Sequence, residues 1–286
     1  MGVAAAKGWI ITGKGAVKAW VGLLFLGYVA LRVLLRLLIG KRRREWVQFF
    51  LELHHSRGYS VEYGSLLLSS YEPHVTRIIK NVLSRPRSQT FIDLGALVGR
   101  HTVTAYKILR KRKVFRIVAV EPDPNNYRQL EKNIGGFKGI QLVNEAVFVS
   151  DGEEIDFHVE KGHSGLASSG SVFPTETHVK DGYLSGEIIR VKAVRLDTLI
   201  RRFGLERVDL VKMDIEGAEL PVLTDPSLDL SRVENMVVEV HYRWGSRESE
   251  EIMRALAAHG FKIAPLYPDQ NSNRYHLLAY RGELPW

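Results

Sequence analysis

Three acidic residues each follow an apolar segment of the chain, and their positions indicate a ligand-binding edge. Asp93 follows Phe91 and Ile92, Glu121 ends the run IVAVE, and Asp214 follows the run LVKM. In an open α/β sheet, ligands bind beyond the carboxyl ends of the strands, where such side chains collect. Carboxylates at that edge can accept hydrogen bonds from sugar hydroxyls. The sequence therefore predicts a pocket for a nucleotide-like ligand.

A second group of residues could accept a proton from a substrate. His241 and Glu239 are two residues apart at a strand end and therefore point to the same side. An unperturbed imidazole has a pKa near 6.5, which suits a base at neutral pH. Glu216 and Glu219 flank Gly217 at a predicted helix start, where an acid also stabilises the helix dipole. We predict His241 or Glu216 as the base, and the spacing is not specific enough to indicate a metal site.

The element that positions Asp93 reads as a strand, a glycine turn and a helix. Gly95 and Gly99 permit a tight turn, and residues 100–113 carry apolar positions at helical spacing. Glu121 comes 26 residues after Gly95, which suits a ribose partner in either a dinucleotide or an adenosyl site. Leu97 stands where a dinucleotide fingerprint needs its middle glycine, so the backbone could not approach a pyrophosphate closely and would bind it weakly.

The order of these motifs resembles the FkbM-type methyltransferases, a class I group that depends on S-adenosylmethionine. The resemblance covers about Phe91 to His241. It rests on FIDLGALVGRHT, VAVEPDPNNYRQLEKNI, LVNEAV, GLASSGSV, VRLDTL and VKMDIEGAE, of which the last is the most specific.

That resemblance assigns roles to individual positions. It implies that Asp93, Gly95 and Gly99 line the methionine and ribose side of the cofactor, that Glu121 binds the ribose hydroxyls, that Asn144 or Glu145 approaches the adenine, and that Asp214 faces the reacting methyl group. The family often has Asn where this chain has Leu97, so one polar contact is expected to be missing or supplied elsewhere. The implied reaction is methyl transfer to a hydroxyl of a small-molecule, glycan or lipid-linked acceptor.

The expected fold is a class I, Rossmann-like α/β sheet of seven core strands whose last pair is antiparallel. We predict a basic and apolar segment over residues 1–44, a helical and extended collar over 45–86, and a methyltransferase domain over 87–286. Alternation of apolar and polar residues predicts an antiparallel insertion around 150–197, with strands at Glu154–Glu160 and Ile188–Leu196.

The charge distribution points to a membrane. The chain of 286 residues has a formal net charge of +8, and its first 45 residues hold nine basic residues against one acid. The rest is formally neutral, which argues against a nucleic-acid substrate. The run from Ala19 to Ile39 is apolar except for Arg32 and Arg36. A spanning helix with snorkelling basic ends is favoured over an interfacial one, and the positive-inside rule then places the catalytic domain in the cytoplasm.

The chain has no cysteine, which excludes disulfides, thiolate metal sites and cysteine nucleophiles.

Two other functions stay open from the sequence. A non-catalytic, membrane-tethered scaffold with a cofactor-binding fold would fit the same pattern, and so would an NAD-dependent oxidoreductase. The oligomeric state cannot be predicted.

Overall fold

The computed structural model describes residues 72–160, 170–174, 184–266 and 273–285. The strands are β1 (Thr90–Leu94), β2 (Arg116–Val120), β3 (Ile140–Val143), β4 (Ala146–Val147), β5 (Glu154–Glu160), β6 (Gly170–Ser171), β7 (Leu184–Val194), β8 (Leu210–Met213), β9 (Asn235–Val240), β10 (Lys262–Leu266) and β11 (Tyr275–Tyr280). The helices are α1 (Pro73–Leu83), α2 (Arg100–Leu109), α3 (Pro124–Ile134), α4 (Leu196–Arg202), α5 (Glu219–Thr224) and α6 (Arg247–Ala258).

The main sheet has seven strands in the order β10-β11-β9-β8-β1-β2-β3. Neighbours from β9 to β3 are parallel, whereas β11 is antiparallel to both β9 and β10. The central strands read as continuous apolar runs because helices cover both faces of a parallel sheet. The predicted seven-stranded, class I methyltransferase sheet with an antiparallel last pair is therefore confirmed.

Three predicted boundaries differ from the structure. Strand β7 begins at Leu184 rather than Ile188, because its pairing with β5 extends to Glu160. The other two differences have packing reasons. Helix α2 ends at Leu109 rather than Lys113, because the apolar spacing of its buried face stops there and Arg110 is the cap residue. Leu196 begins α4 rather than ending a strand, since it forms the buried face of that helix together with Leu199 and Ile200.

A second sheet, in the order β4-β7-β5-β6, follows the first βαβ units along the chain. Its centre is the antiparallel pair of β5 and β7, in the segment where alternation predicted an insertion. Phe157 and Val191 pack with Ala146 to form a small core of their own. The hydroxyl of Ser171 in β6 donates a hydrogen bond to the carbonyl of Glu216 at 2.5 Å, so this sheet contacts the loop after β8.

The two faces of the main sheet differ in polarity. On one face, apolar side chains of β1, β2, β8 and β9 form the main core with α4, α5 and α6. On the opposite face, Asp93 pairs in register with Lys212, and Glu239 pairs with His276. These polar residues lie at the carboxyl ends of β1, β8 and β9. Their face thus positions a polar cluster at the edge where ligands are expected.

Helix α1 is the last part of the predicted collar. It starts at Pro73, which suits the first helical turn, and buries Val75, Ile78, Ile79 and Val82 at helical spacing. The rest of the collar and the predicted membrane segment lie outside the described residues. Within the described ranges, no helix is both long enough and apolar enough to cross a membrane.

The turn after β1 should tolerate no side chain at Gly95. This residue has a φ of +74°, and an added Cβ would lie 1.8 Å from the carbonyl oxygen of Asp214. Gly152 has a similar φ of +76°, but an added Cβ would meet nothing within 4 Å. Gly152→Ala should therefore lower the free energy of unfolding by only about 1 to 2 kcal/mol, the cost of a left-handed alanine.

Gly95→Ala should cost at least about twice as much, because the backbone of two strand ends must separate. Urea denaturation followed by circular dichroism measures both variants. Equal losses in the two alanine variants would contradict the close approach of the two loops.

Candidate active site

Glu121 fixes the glycine turn to the end of β2. Its Oε2 accepts a hydrogen bond from the backbone N–H of Leu97 at 2.8 Å, and its Oε1 accepts one from that of Asp123 at 3.1 Å. Oε1 also accepts a longer bond from Asn126 Nδ2 at 3.4 Å. A carboxylate offers about four acceptor positions, so Oε2 has one left for a ligand hydroxyl. Burial raises the pKa of Glu121 to about 7, although these hydrogen bonds oppose the shift.

A cleft of about 410 Å³ opens beside Glu121, within the size range of small-molecule sites. Its walls come from the loops after β1, β2 and β8, from the last part of β9, from the second sheet, and from the residues before α1 and β11. The lining residues are Glu72, Gly95, Leu97, Val120, Glu121, Pro122, Ala146, Val147, Phe157, Gly170, Val172, Asp214, Ile215, Glu216, Glu239 and Arg274. Apolar side chains therefore surround the Glu121 end, and carboxylates collect at the other end.

Four of the six predicted cofactor residues line this cleft or lie directly beneath it. Gly95, Glu121 and Asp214 line it. Asp93 is fully buried below, where its Oδ2 accepts a 2.5 Å hydrogen bond from Thr102 and its Oδ1 lies 3.8 Å from Lys212 Nζ. Asp93 thus contacts the strand ends rather than the open cleft.

The other two predicted cofactor residues have structural contacts instead. Gly99 caps α2, and an added Cβ would lie 2.9 Å from Leu130, so its missing side chain admits α3. Asn144 is exposed, and its Nδ2 donates to the carbonyls of Glu121 and Pro122 at 2.8 and 2.9 Å. The alternative adenine partner, Glu145, forms an ion pair with Arg202. The residues at this end that do line the cleft are Ala146 and Val147.

Leu97 adopts a left-handed backbone conformation, with φ at 51°. Asparagine tolerates that conformation better than leucine does, because its short polar side chain can bond locally. Only the backbone N–H of Leu97 serves Glu121, so no side-chain amide is needed for that hydrogen bond.

The turn after β8 presents Glu216 in a strained conformation. Glu216 has a φ of 52°, in the left-handed region that side chains rarely adopt. Glu219 holds this turn: its Oε1 accepts from the N–H of Ile215, and its Oε2 accepts from that of Gly217, both at 3.0 Å. Tyr242 donates its hydroxyl to the Gly217 carbonyl at 3.0 Å. Glu219 therefore stabilises the turn through buried hydrogen bonds, in addition to the favourable effect of its charge on the helix start.

His241 is enclosed by carboxylates and is only 5% exposed. Its Nδ1 lies 3.1 Å from Glu219 Oε1, and its Nε2 lies 3.0 Å from Glu216 Oε2. Burial alone would lower the pKa of His241, but the carboxylates of Glu219 and Glu216 outweigh it and raise the pKa well above 6.5. The pKa of His241 therefore lies above that of a free imidazole, and the surrounding carboxylates favour its protonated form. Its role as the base stays a prediction.

The structure also brings in residues that the sequence analysis did not select. Glu239 and His241 do share a side, as their strand spacing predicted, with Glu239 Oε1 4.0 Å from His241 Nε2. Glu239 Oε2 lies 3.5 Å from His276 Nε2, and Glu72 approaches the same imidazole nitrogen to 3.9 Å. Burial, followed by repulsion from Asp214, raises the pKa of Glu239 to about 8.

Lys212 is a third residue of the site that the sequence analysis did not select, besides Glu72 and His276. It lies within the quoted motif VKMDIEGAE, and a lysine inside an apolar strand was the signal available. Glu72 and His276 gave no comparable signal, because they come from distant segments whose register only the fold defines.

The chain belongs to the methyltransferase FkbM domain family, whose domain matches residues 93–263. It is 28% identical over 175 residues to the 2-O-methyltransferase NoeI of Sinorhizobium fredii, covering 58% of this chain and 68% of that protein. It is 29% identical over 220 residues to the methyltransferase sdnD of Sordaria araneosa, covering 67% of this chain and 82% of that protein.

Two further similarities are partial. The AMB antimetabolite synthetase AmbE of Pseudomonas aeruginosa is 29% identical over 232 residues, and the match covers 68% of this chain but only 11% of that protein. The solved structure of a methyltransferase FkbM from Methylobacillus flagellatus KT aligns with a TM-score of 0.39 at 12% identity, over 83% of this chain and 60% of that one.

The pKa of Glu121 predicts how stability of the unliganded protein depends on pH. Because its folded pKa of about 7 exceeds the usual 4.5, the folded protein binds more protons between these values than the unfolded chain does. The free energy of unfolding should therefore fall as pH rises from about 4.5 to 7. Glu121→Gln should remove a fall of up to about 3 kcal/mol.

Urea denaturation at a series of pH values measures this difference. The exposed Glu153 supplies the matched control, because Glu153→Gln should keep the wild-type slope. Parallel curves for the wild type and Glu121→Gln would show that the Glu121 carboxyl titrates normally.

Proposed function

We propose that this protein is an S-adenosylmethionine-dependent methyltransferase that acts on a hydroxyl group. The observation that carries the proposal is the cleft itself, which runs from a ribose-type carboxylate, Glu121, to the acids after β8 and β9. Membership of the FkbM family supports the same conclusion. The cofactor supplies an electrophilic methyl group on a sulfonium, and the protein has to align an acceptor with it.

The residues of the cleft fit that cofactor. Glu121 Oε2 has an acceptor position for a ribose hydroxyl, and Val120, Pro122, Ala146 and Val147 provide an apolar wall for the adenine. Leu97 stands in place of the middle glycine that would let the β1 turn approach a pyrophosphate closely. Asp214 and the backbone at Gly95 border the opposite end, where positive charge on the cofactor would be accommodated.

A hydroxyl acceptor also needs a group that takes its proton. The carboxylates of Glu219 and Glu216 raise the pKa of His241 and favour its protonated form, so His241 would have to lose that proton before acting as the base. Glu216 and Glu239 both line the cleft and are the available carboxylates. The relative NoeI is named as a 2-O-methyltransferase, which supports oxygen as the acceptor atom. The acceptor is a small molecule, a glycan or a lipid-linked compound.

Calorimetric titration of the purified protein with S-adenosylhomocysteine and with NAD tests the cofactor assignment. We expect the first to bind and Glu121→Ala to weaken that binding at least about 10-fold, because a charged hydrogen bond to the ribose is lost. Glu153→Ala should bind normally. Binding of NAD alone would indicate an oxidoreductase, and binding of neither compound would favour a non-catalytic scaffold.

We further propose that residues 1–44 anchor the protein in a membrane with the methyltransferase domain in the cytoplasm. Support comes from the apolar run with basic residues at both ends and from the six basic residues that follow its apolar core. An acceptor delivered at the membrane, such as a lipid-linked glycan, is consistent with that location.

Alkaline carbonate extraction of membranes tests the anchor. The full-length protein should stay with the vesicles, whereas Leu24→Asp combined with Leu26→Asp should release it, because each charge in the apolar core costs about 2.5 to 3.5 kcal/mol. The matched control is Leu66→Asp combined with Leu68→Asp, outside the apolar run. Extraction of the wild type would contradict the proposed anchor.

A further inference from the structure

Four carboxylates surround the imidazole of His241. Its Nε2 lies 3.0 Å from Glu216 Oε2, 3.9 Å from Asp214 Oδ1 and 4.0 Å from Glu239 Oε1, while its Nδ1 lies 3.1 Å from Glu219 Oε1. Lys212 offsets part of this charge through Asp214 Oδ2 at 3.0 Å. Four carboxyl groups thus lie around one imidazole and one ammonium group.

Two of these carboxyl groups are incompletely hydrogen-bonded among the described residues. Asp214 Oδ1 is buried and has no hydrogen-bond partner there. Glu239 is 8% exposed, and the imidazole nitrogens of His276 and His241 lie 3.5 and 4.0 Å from its oxygens. Burying a carboxylate without donors costs several kcal/mol unless something else compensates it. Because Asp214 and Glu239 line the cleft, a ligand can reach them.

We propose that Asp214, Glu216 and His241 bind a divalent metal ion at the acidic end of the cleft. One ligand atom from each residue lies within 4.8 Å of the others. Atoms bound about 2.1 Å from an octahedral cation lie about 3.0 Å apart when adjacent and about 4.2 Å apart when opposite. The observed 3.0 and 3.9 Å distances from His241 Nε2 fall within that range. The two carboxylates suit Mn²⁺ completed by water, whereas the imidazole disfavours Mg²⁺, which prefers oxygen ligands.

The surroundings of His241 match those of a metal-binding histidine. Such a histidine usually donates its other ring N–H to a carboxylate, which fixes the tautomer and the ring orientation. Glu219 supplies this carboxylate, and its two backbone hydrogen bonds hold it in place. The same hydrogen bonds hold Glu216 in its strained, left-handed backbone conformation. In that conformation its side chain lies beside Nε2 of His241. Glu219 thus preorganises two of the three proposed ligands, Glu216 and His241.

The use of this ion in catalysis rests on the proposed function. An acceptor hydroxyl on the cation would become more acidic, as metal-bound water does. Transfer would then form the bond from acceptor oxygen to methyl carbon, break the carbon–sulfur bond and release the hydroxyl proton. With Glu216 occupied as a ligand, the ionised form of Glu239 is the group in the cleft that would take this proton.

Titration of the chelator-treated, full-length protein with Mn²⁺ tests the site, with free Mn²⁺ followed by its electron paramagnetic resonance signal. We expect one site that Glu216→Gln and Asp214→Asn weaken at least about 100-fold, and that Glu219→Gln weakens about 10-fold through the imidazole. Glu72→Gln is the comparison variant, since Glu72 belongs to a second group of possible metal ligands with Glu239 and His276. That variant should change the affinity less than about 2-fold.

S-adenosylhomocysteine titration of the same proteins separates the two proposals. Glu216→Gln should keep binding this compound, and Glu121→Ala should keep binding Mn²⁺. Absence of Mn²⁺ binding in a protein that binds S-adenosylhomocysteine would overturn the metal site and leave the methyltransferase proposal intact. Mn²⁺ binding without S-adenosylhomocysteine binding would overturn the methyltransferase proposal and leave the metal site intact.

A measurement on the wild type covers the case in which a variant does not fold. With histidine-labelled protein, Mn²⁺ should broaden the ring resonances of His241 at ratios that leave His259, at the end of α6, sharp. Equal broadening of both rings, or retention of binding in a folded Glu216→Gln variant, would overturn the assignment.

Discussion

The geometry of the site depends on one buried ammonium group. Lys212 Nζ lies 3.0 Å from Asp214 Oδ2, 2.9 Å from the carbonyl of Gly95 and 3.8 Å from Asp93 Oδ1. It therefore connects the ends of β1 and β8, which carry the glycine turn and the acidic turn. Burial would lower the pKa of Lys212, but Asp214 and Asp93 outweigh it and raise the pKa above its usual value. Removing one member of such a set leaves a buried charge uncompensated.

The two ends of the cleft, on either side of the strand ends that Lys212 connects, differ in their chemistry. At the β2 end, the backbone donors of Leu97 and Asp123 hold a single carboxylate, and apolar side chains surround it. At the β8 and β9 end, carboxylates and imidazoles approach one another with few donors between them. The first environment recognises a polar and aromatic ligand by shape and hydrogen bonds. The second favours a bound cation.

The parts predicted from the sequence are those encoded by neighbouring residues. The strand, glycine turn and helix around Gly95 follow from local periodicity, and the seven-stranded sheet followed from the family resemblance. Glu121 was predicted as a ribose partner because an acid commonly follows such a turn at about this spacing. In contrast, the pairing of Glu239 with His276 depends on the register of β11 against β9, which no local pattern encodes. The raised pKa of His241 likewise depends on Glu219, which is 22 residues away in the sequence, so the spacing within the strand could not predict it.

The excess of acids around His241 has a consequence for methyl transfer. A sulfonium loses its positive charge as its methyl group leaves, so carboxylates near it stabilise the reactant more than the transition state. Unbalanced carboxylates at Asp214, Glu216 and Glu239 would therefore raise the barrier. A divalent ion held by Asp214, Glu216 and His241 would neutralise most of that charge and, at the same time, stabilise negative charge on the acceptor oxygen. The arrangement that would hinder the reaction without a cation thus favours it with one.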